Sequence, residues 1–282
     1  MTKEESLTID LNEITNKDKE VGSKAANLGK LIKNKFSVPN GFVVKTTAYD
    51  LFLKDNNLIE LIQKALKSID YSNLESVKNA TNTISDSFEK SSFPKELIDE
   101  IKLKYQPFSS YGVAVRSSAT AEDLPKASFA GQYDTFLNIR DLDQILRNIK
   151  RCYASLWTSR AIIYSYKNKI PHNKVKIAVI IQQMVSAKSA GVLFTLNPIT
   201  SDNTELLIES NFGLGESIVS GKCSPDQFFL KKSKRGSFKI LNKRIGIKDF
   251  VAHPKSSEAN GGIEYRELSD DLKQQSSLST MK

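Results

Sequence analysis

Arg116 closes an apolar run, Gly112 to Val115, and opens the segment Ser117-Ser118-Ala119-Thr120-Ala121-Glu122-Asp123-Leu124-Pro125. Ser128-Phe129-Ala130-Gly131-Gln132 follows and leads into the next strand-like segment. Small residues in such a loop let backbone N–H groups come close to an anion. An arginine at its base adds a forked, permanent positive charge that suits phosphate oxygens. Lys24 lies near the start of a helix-like segment, between Gly22-Ser23 and Ala25-Ala26. The positive end of a helix and an ammonium group can together hold a phosphate. Gln182 and Gln183 end the apolar run Val175 to Ile181, where an amide offers a donor and an acceptor to the edge of a flat base. Taken singly, each has a plainer role. An arginine after a strand is more often a surface ion pair, a lysine in a first turn is usually just solvated, and a Ser/Ala/Gly loop is often only a loop.

Two other phosphate-binding patterns fail in this sequence. Gly215 to Cys223 is close to a Walker A loop, but it has one residue too many, and Cys223 stands where a Ser or Thr would hold magnesium. Gly213-Leu214-Gly215 begins like a dinucleotide fingerprint, but Ile218 occupies the place of its third glycine.

The chain has 282 residues, enough for one large domain or two modest ones. Met1 to Asn12 carries acids and no long apolar run, unlike a secretory signal. Apolar stretches such as Ile177 to Ile181 are far too short to span a bilayer. Two cysteines, Cys152 and Cys223, lie far apart, which argues against a disulfide framework or a zinc cluster and for a reducing, cytoplasmic setting. The formal net charge of +9 suits either nucleic acid or a small polyanion. Its densest run, Lys231, Lys232, Lys234 and Arg235, falls between two strand-like segments and reads as a solvated hairpin tip, so no nucleic-acid partner is expected.

These residues must be positioned by a mixed set of elements. Gly22 to Ile32 reads as a helix and Val38 to Val44 as a short strand. Thr46 or Thr47 then caps a helix whose face carries Leu51, Leu58, Ile62, Leu66 and Ile69. Ser72 to Phe88 and Lys95 to Lys104 read as further helices, Gly112 to Arg116 and Gly131 to Ile139 as strands, with Ser117 to Gly131 a loop between them. Asp141 to Asn168 reads as one long helix and Val175 to Met184 as a strong strand. Gly191 to Leu196, Glu205 to Ser210, Asp226 to Leu230 and Phe238 to Ile247 read as strands, and Ser256 to Lys282 as a weakly patterned tail. The class is α+β, with a boundary at Val185-Ser186, where a helix-heavy part gives way to a strand-heavy one.

Eight segments occur in order: Val21-Gly-Ser-Lys-Ala-Ala-Asn-Leu-Gly29, Val38-Pro-Asn-Gly-Phe-Val-Val44, Val115-Arg-Ser-Ser-Ala-Thr-Ala-Glu-Asp-Leu-Pro125, Ala127-Ser-Phe-Ala-Gly-Gln-Tyr-Asp-Thr135, Ala154-Ser-Leu-Trp-Thr-Ser-Arg-Ala161, Gln182-Gln-Met184, Gly191-Val-Leu-Phe-Thr195 and Gly213-Leu-Gly-Glu216. Together they closely resemble the N-terminal ATP-binding domain of phosphoenolpyruvate synthase, pyruvate phosphate dikinase and rifampicin phosphotransferase. The resemblance runs from about Val21 to the end, and its Arg116 to Thr135 motif is highly specific. It implies an ATP-grasp fold of two subdomains, here 1–185 (a helical region plus the first subdomain) and 186–282 (the second), which clamp ATP. By motif match, Lys24 and Arg116 would contact phosphates, Gly131 and Thr135 would lie in the phosphate-covering loop, and Gln182 would sit beside adenine. Met184 and Val185 would form the hinge region, with Glu209 and Glu216 as weaker candidates near ribose or Mg2+. The resemblance further implies transfer of phosphate from ATP to a histidine on a separate domain, which carries it to pyruvate or, in the antibiotic kinases, to rifampicin.

The family's later magnesium-binding segment and its acceptor histidine have no counterpart before Lys282, and neither His172 nor His253 has the acceptor's context. The chain is therefore expected to be part of a longer enzyme, inactive alone, with a stand-alone, non-catalytic ATP-binding module as the rival reading. Ser23 stands where the family usually has a second glycine, Asn197 where His or Asp commonly precedes the proline, and Cys223 where a small or β-branched residue is usual.

Overall fold

The computed structural model describes residues 6–120, 123–124, 127–128, 134–171, 175–233, 236–255 and 261–279. The chain divides into two units, Met1–Met184 and Val185–Lys282. The first contains, in order, β1 (Thr8–Asp10), α1 (Gly22–Lys33), β2 (Gly41–Val44), α2 (Thr46–Asp55), α3 (Leu58–Lys67), α4 (Leu74–Lys90), α5 (Lys95–Tyr105), β3 (Val113–Ala119), β4 (Asp123–Leu124), β5 (Ala127–Ser128), β6 (Thr135–Ile139), α6 (Leu142–Ala154), α7 (Ser159–Lys167) and β7 (Ile177–Gln183).

Five strands form one sheet in the order β1-β2-β7-β3-β6, with every neighbouring pair antiparallel. β7 lies at its centre and reads as an unbroken apolar run because both of its faces are covered. Ile177, Val179 and Ile181 join Val113, Val115, Phe42 and Val44 in a large core with Phe52, Ile84, Leu97, Ile149 and Tyr153. Ala178 and Ile180 face the other way and pack with Val43 against Val21 and Ala25. Helix α1 thus lies on one face of the sheet, and the remaining helices supply the core on the other.

Several elements differ from the sequence expectation. The helix expected to continue through Leu51 and Leu58 breaks in two, because Asn57 adopts a left-handed φ of 54°. Thr46 does not cap α2 but lies buried in its first turn, with Lys45 at the cap position. The long helix expected over Asp141 to Asn168 is interrupted by a 3-10 turn at Ser155–Trp157. Thr158 then caps α7 by accepting the Ala161 N–H at 3.3 Å. β3 is longer than expected: Ser117, Ser118 and Ala119, assigned to a loop, pair with Val179, Ala178 and Ile177 of β7.

The second unit contains β8 (Ser189–Phe194), β9 (Glu205–Phe212), α8 (Glu216–Val219), β10 (Asp226–Lys232), β11 (Phe238–Arg244), β12 (Phe250–Pro254), β13 (Ile263–Glu267) and α9 (Asp270–Lys273). β11-β10-β9-β8 form an antiparallel sheet, and β12 and β13 a separate antiparallel pair. The stretch expected to be a weakly patterned tail therefore supplies β13 and α9. Helix and strand are mixed as the α+β reading expects. Among the described residues, no helix is long and apolar enough to cross a membrane.

Candidate functional site

The site in the first unit is built where α1 meets the end of β3. Gly22 opens α1 with φ +72°, and a Cβ there would lie 2.0 Å from the Ser118 carbonyl oxygen. Only glycine permits that approach. The cap position, Val21, has no side chain able to satisfy the helix's first N–H groups. Ser118 takes over: its hydroxyl donates to the Val21 carbonyl at 2.9 Å and accepts the Ala25 N–H at 3.1 Å. This lock sets Lys24 beside β3, where its Nζ donates to the Ser117 carbonyl at 3.3 Å. Ser117 in turn reaches the start of β6, its N–H and hydroxyl donating to the Asp134 carbonyl at 3.3 and 3.1 Å.

Arg116 sits two residues before the Ser118 lock, paired with Thr135 of β6 on one side and Ile180 of β7 on the other. It is half-buried on the face that carries α1. Its Nη1 donates to Gln182 Oε1 at 3.0 Å, and Gln182 Nε2 donates to the Pro39 carbonyl at 3.1 Å. Gln182 pairs with Ala114 and Gly41 across β7. A Cβ on Gly41 would lie 2.4 Å from the Ile181 carbonyl oxygen, so glycine is what lets β2 come this close. Met184 donates its N–H to the Gly112 carbonyl at 2.9 Å, and Gln183 donates to Asn40 at the same distance.

The structure thus brings Lys24, Arg116, Thr135 and Gln182 onto adjoining strands and the helix that covers them, with Met184 one step beyond the end of β7. Thr135 is exposed at the first position of β6. Gly131 and His172 lie outside the described residues. Val185 opens the second unit and is exposed. Glu216 is the first residue of α8; burial pushes its carboxyl up, with Lys222 opposing. Glu209, on β9, accepts from Gln227 Nε2 at 2.7 Å. His253 pairs with Glu264 in the β12–β13 ladder. Both cysteines are free, and burial pushes the Cys152 thiol far above its usual range, so it is inert.

Among the described residues, no group of three or more His, Cys, Asp or Glu could hold a metal ion. Magnesium is ordinarily held by one or two carboxylates together with substrate phosphates, rather than by an all-protein cage. Glu209 and Glu216 are single carboxylates, the donor type that such shared coordination draws on.

Sequence reasoning singled out Lys24, Arg116 and Gln182 but missed Ser117 and Ser118, which hold α1 and Lys24 against β3. The signal was present as two serines directly after the arginine, yet it became meaningful only once β3 extended through them.

The family description "Pyruvate phosphate dikinase, AMP/ATP-binding domain" matches residues 18–282. The chain belongs to this family. It is 38% identical over 278 residues to a probable phosphoenolpyruvate synthase of Methanocaldococcus jannaschii, covering 95% of this chain and 23% of that protein. It is 41% identical over 236 residues to the phosphoenolpyruvate synthase of Aeropyrum pernix, covering 81% of this chain and 28% of that protein. The rifampicin phosphotransferase of Bacillus subtilis is 36% identical over 276 residues, covering 97% of this chain and 31% of that protein. The chain therefore spans less than a third of the length of these three relatives. The matched family is an AMP/ATP-binding domain.

Proposed function

We propose that this chain is the ATP-grasp domain of a phosphoenolpyruvate synthase- or pyruvate phosphate dikinase-like enzyme, passing phosphate from ATP to a histidine on another domain. The observation that carries the reading is the convergence of Lys24, Arg116 and Thr135 around the end of β3 in a chain of this family. Phosphoryl transfer needs positioned cations and in-line geometry more than a protein acid or base. Lys24 and Arg116 supply fixed positive charge for phosphate oxygens. By resemblance to the family, Gly131 and Thr135 would lie in the loop that covers the phosphates. Met184 and Val185 would lie in the hinge region, and Glu216, with Glu209 as a weaker candidate, near ribose or Mg2+. Magnesium, when bound, would neutralise charge that builds on the transferring phosphate. The free cysteines support a reducing, cytoplasmic setting.

The full-length enzyme would then carry a phosphohistidine domain and a substrate domain. Rifampicin is the rival to pyruvate as final acceptor, since a rifampicin phosphotransferase matches this chain about as well as the synthases do. A non-catalytic ATP-binding module is the reading from another class.

Thermal unfolding of this chain with rising ATP, with and without magnesium, tests the binding step. Stabilisation that grows with ATP is expected, reaching about 2.7 kcal/mol at a hundred times Kd. In the full-length protein, Arg116→Ala should slow ATP cleavage by on the order of a hundredfold or more. Unchanged cleavage would remove Arg116 from the role given to it. Incubation with labelled ATP separates an enzyme, which forms acid-labile phosphohistidine, from a module that only binds. Pyruvate and rifampicin offered in parallel then identify the acceptor.

A further inference from the structure

A second concave site lies among the helices on the side of the sheet away from α1. Ile62, Trp157 and Val175 belong to the large core on that side. Together with Leu53, Ile59 and Leu66 they wall an open cleft of about 220 Å3. Ile59, Ile62 and Leu66 follow the i, i+3, i+7 spacing of one stripe along α3. Ile62 is buried at the bottom, whereas Ile59 stays 46% exposed at the rim. An apolar hollow of this kind favours an apolar occupant over water. An engineered apolar cavity of about 150 Å3 accepts benzene, so this cleft has room for an aromatic ring on a short stem.

The cleft also carries one charge of each sign. Lys176 Nζ donates to an Asp50 carboxylate oxygen, and both residues line the site. Their side chains are 45% and 43% exposed, so the pair is screened by water and little is lost when it opens. The backbone of Lys176 is fixed by Thr120, which donates its N–H to the Lys176 carbonyl at 2.9 Å and accepts the Lys176 N–H on its hydroxyl at 3.1 Å. These charges discriminate between ligands. A simple carboxylate would satisfy Lys176 but set its own charge against Asp50, and an amine would do the reverse. A molecule with an ammonium and a carboxylate on one carbon answers both, and exchanges one exposed ion pair for two.

We infer that this cleft binds an apolar α-amino acid of about the size of phenylalanine. Its ammonium group lies on Asp50, its carboxylate on Lys176, and its side chain among Ile59, Ile62, Leu66 and Trp157. The site stands apart from Lys24 and Arg116 and does not depend on the role given to them.

Trp157 is the single tryptophan of the chain, so its fluorescence reports on the cleft directly. The test titrates this chain with L-phenylalanine, 3-phenylpropionate and 2-phenylethylamine, follows Trp157, and checks by calorimetry that one molecule binds per chain. Phenylalanine should give a saturable change with a Kd of about 1 mM, in keeping with its size. Each of the other two lacks one of the charges and should bind about tenfold more weakly or worse. Asp50→Asn should weaken phenylalanine by a similar factor and erase its advantage over 3-phenylpropionate. Lys176→Gln should erase its advantage over 2-phenylethylamine. Circular dichroism confirms the fold of each variant, and if Lys176→Gln fails to fold, Asp50→Asn carries the test. Tripolyphosphate in excess should not displace phenylalanine. A folded chain that shows no saturable change with phenylalanine would overturn the inference. Equal binding of all three compounds would overturn it too, because the cleft would then be apolar and nothing more. Discrimination unchanged in the variants, or displacement by tripolyphosphate, would place the amino acid elsewhere and so reject the assignment.

Discussion

Tyr153 is wholly buried, and among the described residues its hydroxyl is the one buried side-chain polar atom without a hydrogen-bond partner. Its ring packs edge-on against Tyr49, with centroids 4.8 Å apart, and lies close to Phe52 and Phe93. An unpaired buried hydroxyl pays desolvation and recovers nothing. Tyr153→Phe should therefore stabilise the protein by about 1 kcal/mol, read as a higher urea midpoint with an unchanged slope. Tyr49 makes the opposite case, because its hydroxyl accepts the Trp157 Nε1–H at 3.1 Å. Tyr49→Phe should destabilise by about 1 kcal/mol, since it leaves a buried donor without that acceptor. Equal shifts from the two variants would sink this account. The same contrast marks what could be read from residues alone. Lys24 and Arg116 could be singled out as candidate phosphate cations by type and setting. The hydrogen bond from Gln182 to the Pro39 carbonyl could not be read, because Pro39 lies just before β2, far away in sequence.

At the scale of elements, the second unit is organised around an ion pair rather than a large apolar core. Lys248 and Asp226 are both fully buried, with Nζ donating to Oδ1 at 2.7 Å. Ser277 donates its N–H and hydroxyl to Oδ2 at 2.6 and 2.7 Å, and the Gly246 N–H donates to Oδ1 at 3.0 Å. Burial alone would raise the Asp226 pKa, but the Lys248 and Ser277 hydrogen bonds outweigh it and hold the carboxyl below its usual 3.8. A depressed folded pKa gives stability that is complete above the unfolded value and disappears as pH falls through the folded one. The second unit should therefore begin to lose stability below about pH 4. Asp226→Asn should cost about 3–5 kcal/mol at neutral pH by stranding Lys248, while Asp226→Asn combined with Lys248→Met recovers most of it and flattens the acid slope. Acid unfolding that is unchanged in the double variant would refute the assignment.

β11 presents a different liability. It is the edge strand of its sheet and is exposed throughout, including Phe238, Ile240 and Leu241. Leu241 falls in the register shift between the Leu230–Ile240 and Asn242–Phe229 pairs. A charge there should be tolerated by the ladder and should discourage edge-to-edge association. Leu241→Glu is expected to raise the monomeric fraction in light scattering without lowering the unfolding midpoint. These elements also show why the sequence was only partly legible. β7 was plain because both faces are buried. The break at Asn57 was hidden because apolar spacing continues across it, and β12 and β13 were hidden because short strands of mixed polarity carry no clear period.

The whole chain is asymmetric in what holds it together. Among the described residues, the buried apolar side chains of the second unit are Leu207, Leu214, Phe228, Val251 and Ala252, whereas the first unit holds two hydrophobic clusters around its sheet. Stability should follow burial, so the second unit opens first. Ser277 is the point where this matters most. Besides Asp226, it accepts from the Ser189 hydroxyl at 2.7 Å through its carbonyl and shares a 2.7 Å hydroxyl contact with Ser210. One residue near the end of the chain therefore ties β8, β9 and β10 together. Deleting residues 275–282 removes the two Ser277 hydrogen bonds that help make the buried Asp226–Lys248 pair tolerable, with only a small set of buried apolar side chains behind it. Hydrogen exchange should then show lost protection in β8, β9 and β10, with β3 and β7 of the first unit as protected as before. Binding of tripolyphosphate, if it depends on Lys24 and Arg116 alone, should outlast that loss. If β9 and β10 instead stay protected after the deletion, the second unit has a source of stability other than the Asp226 network.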